Sequence, residues 1–277
     1  MSSDLLPPEI WREIVTISAT TSFQQATRLA LVSPSFRNWV KPVLCRTAMH
    51  YRGHEGREWP SPAPRLEWFE QNGPNLRNLM WGHDDQMDLL ASILEHCPAL
   101  ENLAVWVHAP SSNIPLVRPA LSKLRLRQLS INLFVLLGVT QFGVEQATDP
   151  MFQCLTHLHV INHSSPLDWW HIEGLANIPT VTHVALQSTA KESAIKGVLE
   201  NCKSLKVLVG VGCSSYGEAD PKYVDLPTRS LDEWEAGALG GEDRFREAEI
   251  EVAKRIASKD IVKGAIYPTA DIGVDHP

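Results

Sequence analysis

Apolar side chains follow two different periods along this chain, a helical one before residue 51 and a mixed strand-and-helix one after residue 65. In the opening stretch Leu6, Ile10, Ile14 and Ile17 are four, four and three positions apart, which puts them on one helical face. A strand would scatter them over both sides. Pro7 or Pro8 suits the first turn, where a backbone N–H has no helical acceptor, and Glu9 and Glu13 suit the positive end of the helix dipole. The polar run Ser18-Ala19-Thr20-Thr21-Ser22 ends that helix, and a second begins near Ser22 with Phe23, Ala26, Leu29 and Ala30. Ser33-Pro34 repeats the cap-then-proline signal, and Phe36, Val40, Val43 and Leu44 form a third stripe. Three such short helices sit near the lower size at which a chain buries its own core, so apolar residues are left over for another surface.

Residues 52–64, RGHEGREWPSPAP, hold two glycines and three prolines without periodicity and mark a domain boundary. A short helix over 65–71 leads on, stopping at Asn72-Gly73-Pro74. One pattern then recurs: Leu76-x-x-Leu79-x-Trp81, Leu100-x-x-Leu103-x-Val105, Leu126-x-x-Leu129-x-Ile131, Leu155-x-x-Leu158-x-Val160, Val181-x-x-Val184-x-Leu186 and a looser Leu205-x-x-Leu208. Successive first positions are 24, 26, 29, 26 and 24 residues apart, the period of leucine-rich repeats, each a strand plus a returning helix. Such units are too thin to bury their own apolar faces and must stack. The expected fold is therefore α/β. It has a helical domain over 1–51, a linker over 52–64, an irregular leucine-rich-repeat solenoid with a parallel sheet over 65–228, and a C-terminal capping helix and tail over 229–277. Regular repeats carry an Asn or Cys ladder after each strand; here Asp84, His108, Phe134, His163 and Thr189 stand there, so the side-chain ladder is broken. The stretch 136–152 fits the repeat least. Leu231, Trp234, Leu239, Phe245, Ile250 and either Ala253 or Ile256 predict an amphipathic helix that closes the open end of the solenoid, with residues 260–277 frayed or disordered.

Strand alternation lists a concave face: Asn78 and Met80; Asn102, Ala104 and Trp106; Gln128, Ser130 and Asn132; His157, His159 and Ile161; His183 and Gln187; Val207 and Val209. Amides, imidazoles and an aromatic suit protein recognition, and Asn102, Trp106, Gln128, His157, His159 and His183 are the target-binding candidates. The three histidines could gather, but no acidic or cysteine fourth ligand is evident, so no metal site is assigned. A milder expectation is that binding there weakens as the histidines gain protons near pH 6. Trp169-Trp170-His171 is expected to pack a helix onto the solenoid. His54-Glu55 has no second histidine at zinc-protease spacing, and the glycines of AGALGGED precede no phosphate-loop lysine. No nucleophile–base pair stands out, so no catalytic residue, cofactor or enzyme activity is expected.

Charge narrows the partners. A net charge of −7 and a pI of about 5.9 argue against gripping nucleic-acid phosphates or anionic lipid. The start lacks a secretory pattern and no apolar stretch could span a membrane, so a cytoplasmic or nuclear protein is expected. Five scattered cysteines without a CxxC pair read as reduced thiols, with Cys97 and Cys202 at the same place in their repeats.

The segments LPPEIWREI, LALVSPSFRNWV and PVL together resemble an F-box, with Leu-Pro, then Glu and Ile in the first helix, a Leu-Val-Ser step, and an aromatic with Arg. Asp232 to Glu249 is similar to tails on F-box proteins of mushroom-forming fungi. The resemblance implies docking on the Skp-type adaptor of a Skp–cullin–F-box ubiquitin ligase through Leu6, Pro7, Ile10, Ile14, Leu31 and Val32, with an unknown target on the repeats. The alternative is a non-ligase repeat scaffold whose N-terminal helices only cap the solenoid, which would bury Leu6, Ile10, Ile14 and Val32.

Overall fold

The computed structural model describes residues 6–51, 65–83, 85–106, 114–162, 166–187, 189–213, 220–227 and 231–264. The linker, Asp84, His108 and His163 lie outside these residues.

Helices α1 (Pro8–Ala19), α2 (Phe23–Ala30) and α3 (Pro34–Leu44) form the N-terminal bundle. Proline opens α1 and α3. The hydroxyls of Ser22 and Ser33 each accept a backbone N–H three residues on, at 3.1 Å, so the two caps take the form that the sequence predicts. Val15, Ala19, Ala26, Ala30 and Val40 make the bundle's core, and its alanines let the helix backbones approach closely. This core is separate from that of the sheet.

Eight parallel strands follow in chain order: β1 (Thr47–Tyr51), β2 (Asn78–Gly82), β3 (Asn102–Val105), β4 (Gln128–Ile131), β5 (His157–Val160), β6 (His183–Gln187), β7 (Val207–Val211) and β8 (Tyr223–Leu226). Between them run α4 (Leu66–Asn72), α5 (Met87–Glu95), α6 (Arg118–Leu121), α7 (Leu133–Leu137), α8 (Val144–Ala147), α9 (Trp169–Ile172) and α10 (Glu192–Asn201), interspersed with 3-10 turns. The architecture is α/β, a stack of strand-and-return units. Leu79, Leu103, Leu129, Leu158, Val184 and Leu208 all point into one continuous core on the helix side. Cys97 and Cys202 occupy the same buried corner, each accepting the N–H of the leucine that opens the next strand segment. Trp169 packs against Gly197 of α10, where a Cβ would collide with the indole.

Two strands lie outside the predicted repeats. β1 pairs with β2 although its sequence TAMHY lacks the leucine pattern, so the sheet begins at Thr47, within the stretch assigned to the helical domain. Residues 52–64 therefore connect two adjacent strands. β8 extends the other end, its register set by Leu208 against Tyr223.

Main-chain atoms tie the stack together where the Asn ladder is missing. The carbonyl of Arg46 accepts from the N–H groups of both Arg77 and Asn78; Arg77 does the same for Glu101 and Asn102, Glu101 for Arg127 and Gln128, Arg127 for Thr156 and His157, Thr156 for Thr182 and His183, and Thr182 for Lys206 and Val207. All these bonds measure 2.8 to 3.2 Å. In the irregular 136–152 stretch a buried carboxylate adds a side-chain tie. Asp149 accepts from Arg118 Nε at 2.8 Å and from the Ser122 hydroxyl and the Met151 N–H at 3.1 Å each.

The C-terminal helices α11 (Leu231–Ala238) and α12 (Arg244–Gly264) lie across the concave face, where the sequence had predicted a cover over the open end. Trp234 seats on Met80 and Ala104. Phe245, Ala248 and Val252 seat on Ala185, Val207, Val209, Val211, Val224 and Leu226. Ile250, and both alternatives for the last position of the packed stripe, Ala253 and Ile256, face outward. The physical reason is on the sheet: β7 is apolar at every position, and parallel strands of that composition are found almost only in sheets covered on both faces.

Candidate functional site

Two surfaces carry the candidate residues. On the bundle, Leu6, Ile10, Ile14, Leu31 and Val32 are 41% to 75% exposed, and Pro7 is exposed beside them. Ile17 and Trp11 widen the patch. The Trp11 and Phe36 rings lie 6.4 Å apart, which brings the first turns of α1 to the α2–α3 turn that holds Leu31 and Val32. The apolar spacing of α1 thus serves two faces: Val15 and Ala19 fill the bundle core, while Ile10, Ile14 and Ile17 point away from it.

On the sheet, the predicted register holds: Asn78, Asn102, Gln128, His157, His183 and Val207 are successive partners across β2 to β7. The face is not open, however. His159 and His183 are only 5% and 4% exposed, and Asn102, Trp106, Gln128 and His157 are half-buried. A polar chain runs through it. Trp106 Nε1 donates to the Ser130 hydroxyl at 2.8 Å, that hydroxyl meets His159 Nδ1 at 2.8 Å, and Arg244 reaches His159 Nε2 at 3.5 Å while pairing with Glu233.

His157 and His183 behave as a pair. The Thr156 hydroxyl donates to the Arg127 carbonyl at 3.0 Å and so accepts from His157 Nδ1 at 2.8 Å. Thr182 differs: its hydroxyl lies 3.3 Å from the Thr156 carbonyl but 2.8 Å from His183 Nδ1, so it donates to the ring and leaves the His183 proton on Nε2. His183 Nε2 also faces Glu249 of α12 at 3.2 Å. Burial, with the neighbouring His183 second, pushes the His157 pKa down to about 4. Burial likewise holds His183 below the ordinary imidazole value, against the opposing pull of Glu249. The three imidazoles do not converge: His159 turns to Ser130 while the other two stack, and no group of three metal-ligating side chains exists among the described residues.

The space between α11, α12 and strands β3 to β5 is about 20 Å³, room for one water and too small for a substrate. Asn102 Oδ1 and Trp234 Nε1, which line it, are buried without a hydrogen-bond partner among the described residues. Sequence reading missed Glu233, Trp234, Arg244, Phe245 and Glu249 as parts of this face. The signal for them was the run Val207, Val209, Val211, whose odd positions predict an apolar concave surface in need of a cover.

No family model and no curated protein matches the chain. Among solved structures it is similar to the crystal structure of a TLR13–ssRNA13 complex, at 17% identity and a TM-score of 0.36, over 53% of this chain and 21% of that one. The chain thus spans about a fifth of that protein's length, and a likeness this distant supports no conclusion about partners. No described helix is long and apolar enough to cross a membrane.

Proposed function

We propose that the chain is an F-box-like subunit of a Skp–cullin–F-box type ubiquitin ligase, docking on the Skp adaptor through the N-terminal bundle and holding a target protein on irregular leucine-rich repeats. The observation that carries this reading is the exposure of Leu6, Ile10, Ile14, Leu31 and Val32 on a bundle that already has its own core. An apolar surface of that extent on a small helical bundle favours a protein partner. The rival reading, a capped scaffold that recruits no ligase, calls for these side chains to lie under the repeats, and they do not.

In this role the chain performs no covalent chemistry and requires no cofactor. It works by effective concentration: holding adaptor and target together makes their encounter intramolecular. A pull-down with purified adaptor tests it, comparing wild type with Ile10→Asp. Capture by wild type and loss in the variant support adaptor docking; failure of both to bind refutes it.

A further inference from the structure

The concave face is shaped for a helix, and the chain itself supplies one. Met80 and Ala104 form an apolar shelf that takes the Trp234 indole. The His157 and His183 rings form a second platform, with Phe245 edge-on to both at centroid distances of 5.0 and 6.0 Å. His183 Nε2 then meets the Glu249 carboxylate, one helical turn after Phe245. Val207, Val209, Val211 and Val224 continue the floor beneath Ala248 and Val252. Phe245, Ala248, Glu249 and Val252 are spaced three, four and seven from the first, the way a groove reads one face of an amphipathic helix.

We propose that this face is a docking groove for an amphipathic helix of a partner protein, one that carries an aromatic anchor and, one turn later, a carboxylate, and that α11–α12 is the chain's own occupant, displaced when the partner binds. The proposal rests on the target-holding half of the reading above and not on adaptor docking. The resident helices fit imperfectly. Asn102 Oδ1, buried beneath them, accepts no hydrogen bond from either helix, so a partner that donates directly to it gains a bond the resident segment does not make. That matters because a tethered occupant competes at an effective concentration on the order of millimolar.

A labelled peptide of residues 231–264 of this chain, added to the full-length protein and followed by fluorescence anisotropy, tests the idea. Wild type, with its own helices seated, binds the peptide weakly. Full-length protein carrying Trp234→Asp and Phe245→Asp binds it more tightly by roughly tenfold or more, and a peptide with Phe245→Ala and Glu249→Lys loses a similar factor. Hydrogen exchange on the double variant shows strands β3 to β7 still protected. Unfolding of the variant, a folded variant that ignores the peptide, or equal binding by wild type and variant each overturns the proposal, the first two by making α11–α12 a permanent layer of the core. Adaptor capture, read separately through Ile10→Asp, is unaffected by any of these outcomes.

Discussion

His157 and His183, from adjacent strands, lie ring over ring with centroids 4.2 Å apart and planes within 8° of parallel. Two imidazoles so close, under the edge of Phe245, are held neutral by burial, and charging both places like charges in contact. The unfolded chain then binds protons before the folded one does. Stability from this pair is full above the ordinary imidazole pKa of about 6.5 and is lost as pH falls from there through about 4. For His157 the loss is at most about 3.4 kcal/mol. Urea midpoints measured at pH 8, 6 and 4.5 should fall, and His157→Phe should flatten the decline; an unchanged slope in the variant sinks the assignment.

The outer surface of the N-terminal bundle should tolerate substitutions that its core cannot. Ile14→Asp and Leu31→Asp alter exposed positions and should leave thermal stability within about 0.5 kcal/mol of wild type. Val40→Ala, at a fully buried site, should cost about 1–3 kcal/mol. Equal destabilisation by all three, read from melting curves, would mean that the outer positions of the bundle are packed as tightly as its core.

Asp149 is the buried knot of the least regular repeat, and its removal leaves the Met151 N–H and the Ser122 hydroxyl without their shared acceptor. Asp149→Ala should lower unfolding free energy by roughly 2–4 kcal/mol, and Asp149→Asn by less. Chemical denaturation distinguishes them, and a neutral Asp149→Ala would show that the bonds contribute nothing.

Thiol chemistry should single out Cys154. It is the exposed cysteine of the five, while burial pushes Cys97 up to about 12 and Cys202 and Cys213 up to about 11. Native protein treated with iodoacetamide at pH 8 should gain one adduct by mass spectrometry, and denatured protein five. Rapid native labelling of Cys97 would contradict the packing of the repeat corner.

Repeat positions were legible because a strand's inward side chains must be apolar: the leucines at 79, 103, 129 and 158 announce both period and register. Helix starts in the bundle were legible for a similar local reason, since Ser22 and Ser33 act within three residues of themselves. β1 was not, because among the described side chains of TAMHY only Ala48 is buried, and its partner strand begins 31 residues after it starts. The placement of α11–α12 was harder still. Which surface a terminal helix covers depends on contacts such as Thr47 to Ala238, 191 residues apart, that no local period encodes.

The carbonyl rail from Arg46 to Thr182 has a consequence for how this chain can change. Its donors are N–H groups of residues as unlike as Arg77, Glu101, Thr156 and Lys206, so the bond asks nothing of the side chain except that it not be proline. This bond alone sets no letter at those positions, so a lineage holding this architecture can lose much of its recognisable sequence along the rail while each coil still clasps the one before it.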